Sequence, residues 1–364
     1  MGSLTRIGLV QDAITTFGGS PLAAARHVAV MADRLTLIPL WLEQGNALHR
    51  HVAGKTEGWR VGGRDTAEVA DRLIAAARQE NLQGLHLFGA YGHPLAAALA
   101  AAHLELPLVV SFRGTDINLG IFNNPRLLET LAAAATACTV LNGHQERLAR
   151  RLFGVRAPVF NVTSHVNLDA AGVAPADLRL PRPVVGCVAE FRRLTGLDVL
   201  LEAFARMARL MPVSLLLVGP LESLEATYYS RLLDTYPARD RVLRTGAVGH
   251  DVVAGHMAAC DLMVFPSVAE GMPNKVLEAM AVGVPVIASR IPGIVELIDD
   301  GIDGRLVEPR DARSLQEAMA EALADRELRR RWAARAKEKV AAVHTRDRER
   351  EDWLACYRAA GLLP

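Results

Sequence analysis

One strand, loop, helix and strand segment, residues 265–297, constrains the fold of this chain more than any other stretch. The apolar run LMVF, residues 262–265, predicts a buried strand, and the breaker residues of PSVAEGMPN predict a loop at the carboxyl end of that strand. Asn274 is the predicted N-cap of a helix over about Lys275 to Val282. Gly283 ends that helix before the next strand, VPVIAS. The segment therefore predicts a parallel βαβ unit.

The loop and helix of this unit have the chemistry of an anion site. In a parallel sheet, ligands collect beyond the carboxyl ends of the strands, and a helix N-terminus there offers free amide groups to an anion. Glu270 in the loop and Glu278 one turn into the helix add acceptors for sugar hydroxyls. The loop residues predicted to contact the ligand are Gly271, Met272, Pro273, Asn274 and Lys275. The ligand predicted here is phosphorylated and carries hydroxyl-rich rings. The alternative is an ordinary βαβ unit in which Glu278 faces solvent and Glu270 is only a loop charge.

A longer pattern favours the ligand site. EGMPNKVLEAMAVGVPVIAS, followed by GIVELI and GIDGRLVEP, resembles the C-terminal signature of the family 4 retaining glycosyltransferases. This resemblance implies an α/β protein with the GT-B fold, in which two Rossmann-like domains face each other across a cleft and the C-terminal helix crosses back to the N-terminal domain. The resemblance covers the C-terminal half well, and the N-terminal half only by topology and a Gly-Gly loop.

Length and composition limit the classes of function. A chain of 364 residues is long enough for two domains with separate cores. With 41 basic and 40 acidic residues the net charge is +1, which argues against nucleic acid as a partner. The 4 cysteines have no metal-ligand spacing and lie mostly in apolar runs, as expected of reduced thiols in the cytoplasm. No signal peptide or integral membrane segment is evident, so a cytoplasmic location is predicted, with peripheral membrane contact left open.

Short apolar runs alternate with Ala-rich amphipathic segments along the chain, which predicts parallel sheets covered by helices. RIGLVQ is the predicted first strand, and Ser20 is the predicted N-cap of a helix that runs to about Leu35. The predicted parts are an acceptor-side Rossmann-like domain (1–167), a linker (168–183), a nucleotide-sugar-binding Rossmann-like domain (184–345) and a C-terminal helix packed on the N-terminal domain (346–364). Trp353, Leu354 and Tyr357 share one face of that last helix.

The start of the second domain is a predicted part of the donor site. VAEFRRLTGLDVLLEAF resembles the family segment that supplies an Arg and a Lys to the donor pyrophosphate. Arg192 aligns with the family's Arg, but Thr195 stands where the Lys is expected. Arg193 and Lys275 are the candidates for the missing charge, and the alternative for Arg193 is plain solvent exposure. RTGAVG, with Gly246, is the predicted base-binding edge through backbone contacts.

Gly18 and Gly19 lie at the turn between the first predicted strand and helix. By the resemblance they face the donor diphosphate or the acceptor, and the alternative is a tight turn that needs positive φ. Arg113, in VVSFRGTD, occupies the place where many relatives carry a His. It is predicted to hold an anionic acceptor or the leaving phosphate, and the alternative is an ion pair with Asp116.

The predicted acceptor-binding residues are His93, Asp116 and His165. His93, in GAYGHP, has the alternative of an ordinary loop residue. His165 stands where the family has a glycine in an N-G-V-D-like turn.

The predicted function is a retaining hexosyltransferase that moves a sugar from a nucleoside-diphosphate sugar, with UDP as the default, to an unidentified acceptor. The family resemblance implies that Glu270 binds the donor sugar and that Glu278 binds the ribose. Arg192 then stabilises charge on the leaving diphosphate. No cofactor beyond the nucleotide sugar and no metal are expected, because no Asp-x-Asp motif follows a strand. Two alternatives stay open: a catalytically weakened GT-B protein that acts as a scaffold, and a GT-B sugar-nucleotide epimerase.

Overall fold

The chain forms two compact units, which are described separately. The computed structural model describes residues 4–12, 19–44, 47–53, 56–90, 93–118, 120–166, 173–221 and 225–364. Unit 1 comprises Met1–Thr163 together with Arg346–Pro364, and unit 2 comprises Ser164–Thr345. Unit 1 is therefore built from both ends of the chain.

The strands follow the predicted alternation. They are β1 (Arg6–Asp12), β2 (Thr36–Gln44), β3 (Leu48–Ala53), β4 (Thr56–Gly63), β5 (Gly84–Phe88), β6 (Leu108–Ser111), β7 (Ala137–Val140), β8 (Val159–Asn161), β9 (Val184–Val188), β10 (Ser214–Val218), β11 (Val242–Gly246), β12 (Leu262–Phe265), β13 (Val286–Ser289) and β14 (Arg305–Val307). Unit 1 holds β1 to β8 and unit 2 holds β9 to β14.

The helices connect these strands and close the chain. They are α1 (Gly19–Met31), α2 (Thr66–Gln79), α3 (Pro94–Leu104), α4 (Thr115–Asn118), α5 (Gly120–Asn123), α6 (Pro125–Ala134), α7 (Gly143–Leu152), α8 (Leu197–Ala208), α9 (Ala226–Asp234), α10 (His250–Ala258), α11 (Asn274–Val282), α12 (Pro292–Val295), α13 (Ala312–Ala324), α14 (Arg326–Val343) and α15 (Arg346–Ala359). Helix α1 includes Ser20, which was predicted to precede it, and ends four residues before the predicted Leu35.

Side-chain caps fix where several helices begin. The carboxylate of Asp65 accepts a hydrogen bond from the backbone N–H of Glu68 at the start of α2. Asn124, Asn142 and Asp325 cap α6, α7 and α14 in the same way. These caps satisfy amide groups that the first turn of a helix leaves without an internal partner.

Unit 1 is an 8-stranded sheet with the order β3-β4-β2-β1-β5-β6-β7-β8. All its neighbouring strands are parallel except β3 and β4, which are antiparallel. The strand order reverses between β1 and β5, so the loops after these two strands flank the position where α/β sheets bind ligands.

The sequence analysis missed β3 and β4. Neither contains a long apolar run, because β3 reads LHRHVA and β4 alternates polar residues with Trp59 and Val61. The pair is instead anchored by Glu80, just after α2, whose buried carboxylate accepts hydrogen bonds from Arg50 and from Trp59 Nε1. A long-range polar contact of this kind leaves no periodic pattern in the sequence.

Helix α15 packs on unit 1 against α1, β7 and β8. Its Trp353, Cys356 and Tyr357 are fully or almost fully buried, in one apolar cluster with Ile7 and Leu9 of β1. The prediction that the last helix packs on the N-terminal domain is confirmed.

A buried chain of polar groups joins α15 to the centre of the sheet in unit 1. The hydroxyl of Tyr357 is hydrogen-bonded to His27 Nε2 at 2.7 Å and to His86 Nδ1 at 2.8 Å. His86 Nε2 lies 2.6 Å from Ser111 Oγ, which lies 2.6 Å from Thr139 Oγ1. Burial lowers the pKa of His86 to about 3 and lowers the pKa of His27 well below its usual value, so both rings are neutral in the folded protein.

Unit 2 is a 6-stranded parallel sheet with the order β11-β10-β9-β12-β13-β14. This is the doubly wound Rossmann order, in which the direction of winding reverses between β9 and β12. The segments that follow β9 and β12 are those predicted to form the donor site. The fold therefore brings them to the same switch point.

Tyr357→Phe is expected to destabilise unit 1, because it leaves two buried imidazole nitrogens without their hydrogen-bond partner. The free energy of unfolding should fall by about 1–3 kcal/mol, measured from urea denaturation. Tyr228→Phe is the control, since Tyr228 is 59% exposed and its change should stay within about 0.5 kcal/mol. Equal effects of the two variants would contradict a role of the buried network in stability.

The neutral histidines also predict a pH dependence. Because the folded pKa of His86 is about 3 against an ordinary value of 6.5, the unfolded chain binds more protons between these values. Stability is therefore complete above pH 6.5 and falls as the pH is lowered, by up to about 1.4 kcal/mol per pH unit for each such His. Urea midpoints from pH 7.5 to 5.5 should show a shallower slope for His86→Asn than for wild type. His103→Asn, at an exposed position, is the control and should keep the wild-type slope. An unchanged slope in His86→Asn would show that His86 is not the source of this pH dependence.

Candidate active site

The loop between β12 and α11 carries the first of the two predicted glutamates. Ser267 Oγ donates a hydrogen bond of 3.0 Å to Glu270 Oε1. Burial raises the pKa of Glu270, although the Ser267 hydrogen bond and the positive charge of Arg192 act in the opposite direction. The positive charge of Arg192 thus favours the ionised form of Glu270, while the Arg192 guanidinium itself lies 3.7 Å from Glu190 Oε2.

Two close backbone contacts hold this loop in place. The N–H of Val268 donates to Leu194 O at 2.8 Å, which ties the loop to the turn after β9. On its other side, a Cβ added to Gly293 would lie 2.7 Å from Gly271 O and 2.9 Å from Glu270 O. Only a glycine at the start of α12 allows the loop backbone to pass this closely. The GIVELI motif gives no sign of this contact, so Gly293 was not among the predicted site residues.

The turn after β9 places Arg192. Its N–H donates to Thr195 Oγ1 at 3.2 Å, and the Thr195 hydroxyl donates back to Arg192 O at 2.7 Å. Gly196 closes the turn at φ +68°, with the Pro266 carbonyl so close that a side chain here would collide with it. Thr195 was predicted as a donor-binding residue. The structure shows that its hydroxyl is engaged in shaping the turn that carries Arg192.

Glu278 lies on the first turns of α11 between two basic side chains. Lys275 Nζ donates to Glu278 Oε2 at 2.7 Å, and His250 Nε2, at the start of α10, lies 3.9 Å from Glu278 Oε1. The side chains of Lys275 and Glu278 are 35% and 20% exposed. Glu278 does not simply face solvent, as the alternative interpretation held, and His250 is a neighbour that the sequence did not indicate.

Asn274 does not cap α11 as predicted. It is the first residue of the helix, and Pro273 occupies the N-cap position without a side-chain hydrogen bond. The N–H of Asn274 donates to Met272 O at 2.9 Å, so this amide is not available to an anion in the described conformation. Its buried Oδ1 has no hydrogen-bond partner among the described residues.

A cavity of about 340 Å³ lies at the carboxyl ends of the strands on the other side of the switch point. It is lined by Phe191, Leu217, Gly219, Leu221, Arg244 and Gly246. The predicted base-binding edge therefore borders a real cavity. The Gly246 carbonyl, however, already accepts hydrogen bonds from Gly219 N at 3.0 Å and from Thr245 Oγ1 at 2.8 Å. Arg244 is the first residue of that predicted edge, whereas Phe191 is a cavity residue that the sequence did not single out.

In unit 1, Arg113 and Asp116 follow β6. The Arg113 guanidinium lies over the Phe88 ring, 4.6 Å from its centroid. The buried Asp116 carboxylate accepts hydrogen bonds from the backbone N–H groups of Arg113, Ala90 and Ile117. Burial raises the pKa of Asp116, and these hydrogen bonds oppose the increase. The Asp116 carboxylate thus joins the loops after β5 and β6, and an acceptor contact by this residue stays a prediction.

The remaining predicted residues take separate positions. His93 is the N-cap residue of α3, and its Nδ1 lies 3.3 Å from Thr66 Oγ1. His165 is half-buried and belongs to unit 2. Gly19 opens α1, whereas Gly18 lies outside the described residues. Among the described residues, no group of three or more His, Cys, Asp or Glu side chains is placed to hold a metal ion. None of the described helices is long and apolar enough to cross a membrane.

The chain is similar in sequence to known glycosyltransferases. Residues 182–325 match the family described as glycosyl transferases group 1. N-acetyl-alpha-D-glucosaminyl L-malate synthase of Bacillus anthracis is 28% identical over 75% of this chain and 73% of its own length. A GDP-mannose-dependent alpha-(1-6)-phosphatidylinositol monomannoside mannosyltransferase of Mycolicibacterium smegmatis is 27% identical over 74% of this chain and 76% of its own length.

Among solved structures, the Anabaena protein HepE in complex with UDP aligns with a TM-score of 0.82 at 18% identity, covering 98% of this chain and 100% of that one. A likeness at this identity concerns the fold. The predicted GT-B fold is confirmed.

Gly293→Ala is expected to disturb the loop that carries Glu270 without unfolding the protein. The added methyl group meets backbone atoms, which cannot rotate away as a side chain can. Affinity for UDP, the nucleotide expected from the sequence, should fall about tenfold or more when measured by titration calorimetry, because small displacements of a binding loop have large effects. Val295→Ala in the same short helix is the control, since Val295 is 41% exposed. Wild-type affinity in Gly293→Ala would show that the close contact does not shape the site.

Proposed function

We propose that this chain, which is a glycosyltransferase of the group 1, GT-B type, moves a hexose-type sugar from a UDP-sugar to an acceptor hydroxyl with retention of configuration. The observation that carries the proposal is the pair of glutamates that follow β12 at the switch point of unit 2, together with the basic residues near them. The charge of Arg192 favours the ionised form of Glu270, and Glu278 is hydrogen-bonded to Lys275. Carboxylates suit sugar hydroxyls, and cations suit a diphosphate.

The proposed roles follow from these neighbours. Glu270 accepts hydrogen bonds from hydroxyls of the transferred sugar, and Glu278 accepts them from the ribose. Arg192, Lys275 and the N-terminus of α11 stabilise the charge that grows on the leaving diphosphate. Arg192 is suited to this role because the Thr195 hydrogen bonds and Gly196 fix the turn on which it stands.

In the proposed reaction, the acceptor oxygen approaches the anomeric carbon from the face that the diphosphate leaves. The new carbon–oxygen bond forms as the bond to the phosphate oxygen breaks, and the acceptor proton passes to that phosphate oxygen. The leaving group thus serves as the base, and the two glutamates are not a glycosidase-type acid and base. The cationic side chains supply the electrostatic stabilisation, so the proposal includes no metal.

UDP is the proposed nucleotide because the cavity beside Phe191 and Gly246 adjoins the switch point and because HepE, which shares the fold, is a UDP complex. The GDP-mannose dependence in the name of one relative shows that the base needs a direct test. The four cysteines are free and buried, which supports the proposed cytoplasmic location.

The acceptor is unidentified, and Arg113 of unit 1 is the proposed contact for an anionic group on it. Its guanidinium lies over the Phe88 ring, and a planar guanidinium matches the geometry of a carboxylate or phosphate. The comparisons favour neither a scaffold protein nor an epimerase.

Glu270→Gln and Glu278→Ala are expected to separate turnover from binding. Glu278→Ala should weaken UDP binding about tenfold or more, because it removes the ribose acceptor. Glu270→Gln should keep UDP affinity within about threefold but lower the rate of donor hydrolysis or sugar transfer about 100-fold, as expected of a contact used in the transition state. Titration calorimetry with UDP, GDP, ADP, dTDP and CDP, with Mg²⁺ and with a chelator, measures the binding.

The control is Glu338→Gln on α14, an exposed glutamate paired with Arg335. It should match wild type in both assays. Failure of wild type to bind any of the five nucleotides would refute the proposed function, and binding that requires Mg²⁺ would refute its metal independence.

A further inference from the structure

Lys275 stands out because lysine is rare in this chain. There are four lysines, Lys55, Lys275, Lys337 and Lys339, among 41 basic residues. Lys275 lies in the first turn of α11, within reach of the switch point. A lysine carries a compact charge on a flexible stem, whereas the planar guanidinium of an arginine holds a fixed geometry. This position therefore carries the basic side chain that can most readily change partner.

The turn after β9 carries no lysine that could change partner. Thr195 has no charge, and its hydroxyl closes the turn around Arg192. Lys275 supplies an ammonium group in the same unit, but in the described structure that group is 2.7 Å from Glu278 Oε2. The ammonium group suited to the diphosphate and the carboxylate suited to the ribose are thus paired with each other.

Two features make this pair easy to separate. It is a partly exposed pair three residues apart on one helix, and such pairs are weak. The second oxygen of Glu278 also faces His250 Nε2 at 3.9 Å. Departure of Lys275 therefore leaves the carboxylate beside another basic group and within reach of solvent, and not isolated in an apolar interior.

We propose that Lys275 changes partner when the donor binds: its ammonium leaves Glu278 for the diphosphate, and the released carboxylate takes the ribose hydroxyls. This inference rests on the proposed function and adds to it a mechanism that couples the two halves of the nucleotide. A ligand that consists only of a diphosphate has to break the salt bridge between Lys275 and Glu278, and it offers the Glu278 carboxylate no new partner. A complete nucleoside diphosphate replaces both partners, so the salt bridge in the free protein selects against inorganic phosphates.

The test compares UDP with inorganic pyrophosphate at constant ionic strength, by titration calorimetry on wild type, Lys275→Met, Glu278→Gln and the double variant. Lys275→Met should weaken the binding of both ligands about 10- to 100-fold, the value of a hydrogen bond to a charged group. Glu278→Gln should have opposite effects on the two ligands. It should weaken the binding of UDP but strengthen the binding of pyrophosphate by up to about fivefold, because the Glu278 carboxylate no longer holds Lys275. The gain for pyrophosphate should vanish in the double variant.

Lys337→Met is the matched control, since it removes the same charge from an exposed position on α14 of the same unit. It should leave both affinities unchanged, and the thermal midpoint of every variant reports whether it is folded. Pyrophosphate binding that is unchanged, weakened or undetectable in Glu278→Gln overturns the partner change, as does a gain that persists in the double variant. UDP binding that is normal in Lys275→Met overturns this inference alone. If wild type binds no nucleotide, both this inference and the proposed function are overturned.

Discussion

The candidate active site of unit 2 depends on a backbone contact at Gly293. The chain after β12 must cross the end of the sheet and return into α11, and it does so against the first turn of α12. On the other side, the hydrogen bond from Val268 to Leu194 joins the same loop to the turn that carries Arg192. The loop that bears Glu270 is thus held from two sides by backbone groups, which have less freedom than side chains. This rigidity lets a loop carry a geometrically demanding site.

Charge in this site is balanced in two different ways. Glu270 is half-buried, and this burial raises its pKa although Ser267 and Arg192 favour its ionised form. Glu278 is also half-buried and is ion-paired with Lys275 on its own helix. The first carboxylate is hydrogen-bonded to a serine of its own loop, and the second to a flexible lysine. In the proposed function, the first carboxylate contacts the transferred sugar and the second contacts the nucleotide, which must enter and leave in every cycle.

The sequence predicted the features of the site that depend on local pattern, and it missed those that depend on distant contacts. The helix after EGMPN, the strand VPVIAS and the burial of Trp353 and Tyr357 follow from apolar periodicity and breaker residues. The strands β3 and β4 lack such a pattern and are held in part by Glu80. The predicted cap of α11 was wrong. Asparagine is a residue type that favours the N-cap position, but Pro273 occupies that position and Asn274 is the first residue of the helix. No local rule connects Gly293 with the carbonyls of residues 270 and 271.

The buried network around Tyr357 joins residues that lie far apart in the sequence. Its hydroxyl binds His27 and His86, which lie 330 and 271 residues earlier in the chain. The cluster that contains Trp353 and Cys356 also contains Ile7 and Leu9 of the central strand β1. Unit 1 therefore lacks part of its core until the last residues of the chain are synthesised, whereas unit 2 is one continuous segment. Since closing a long loop costs conformational entropy before its contacts form, unit 2 should fold first and shorten the effective distance that α15 must span to dock.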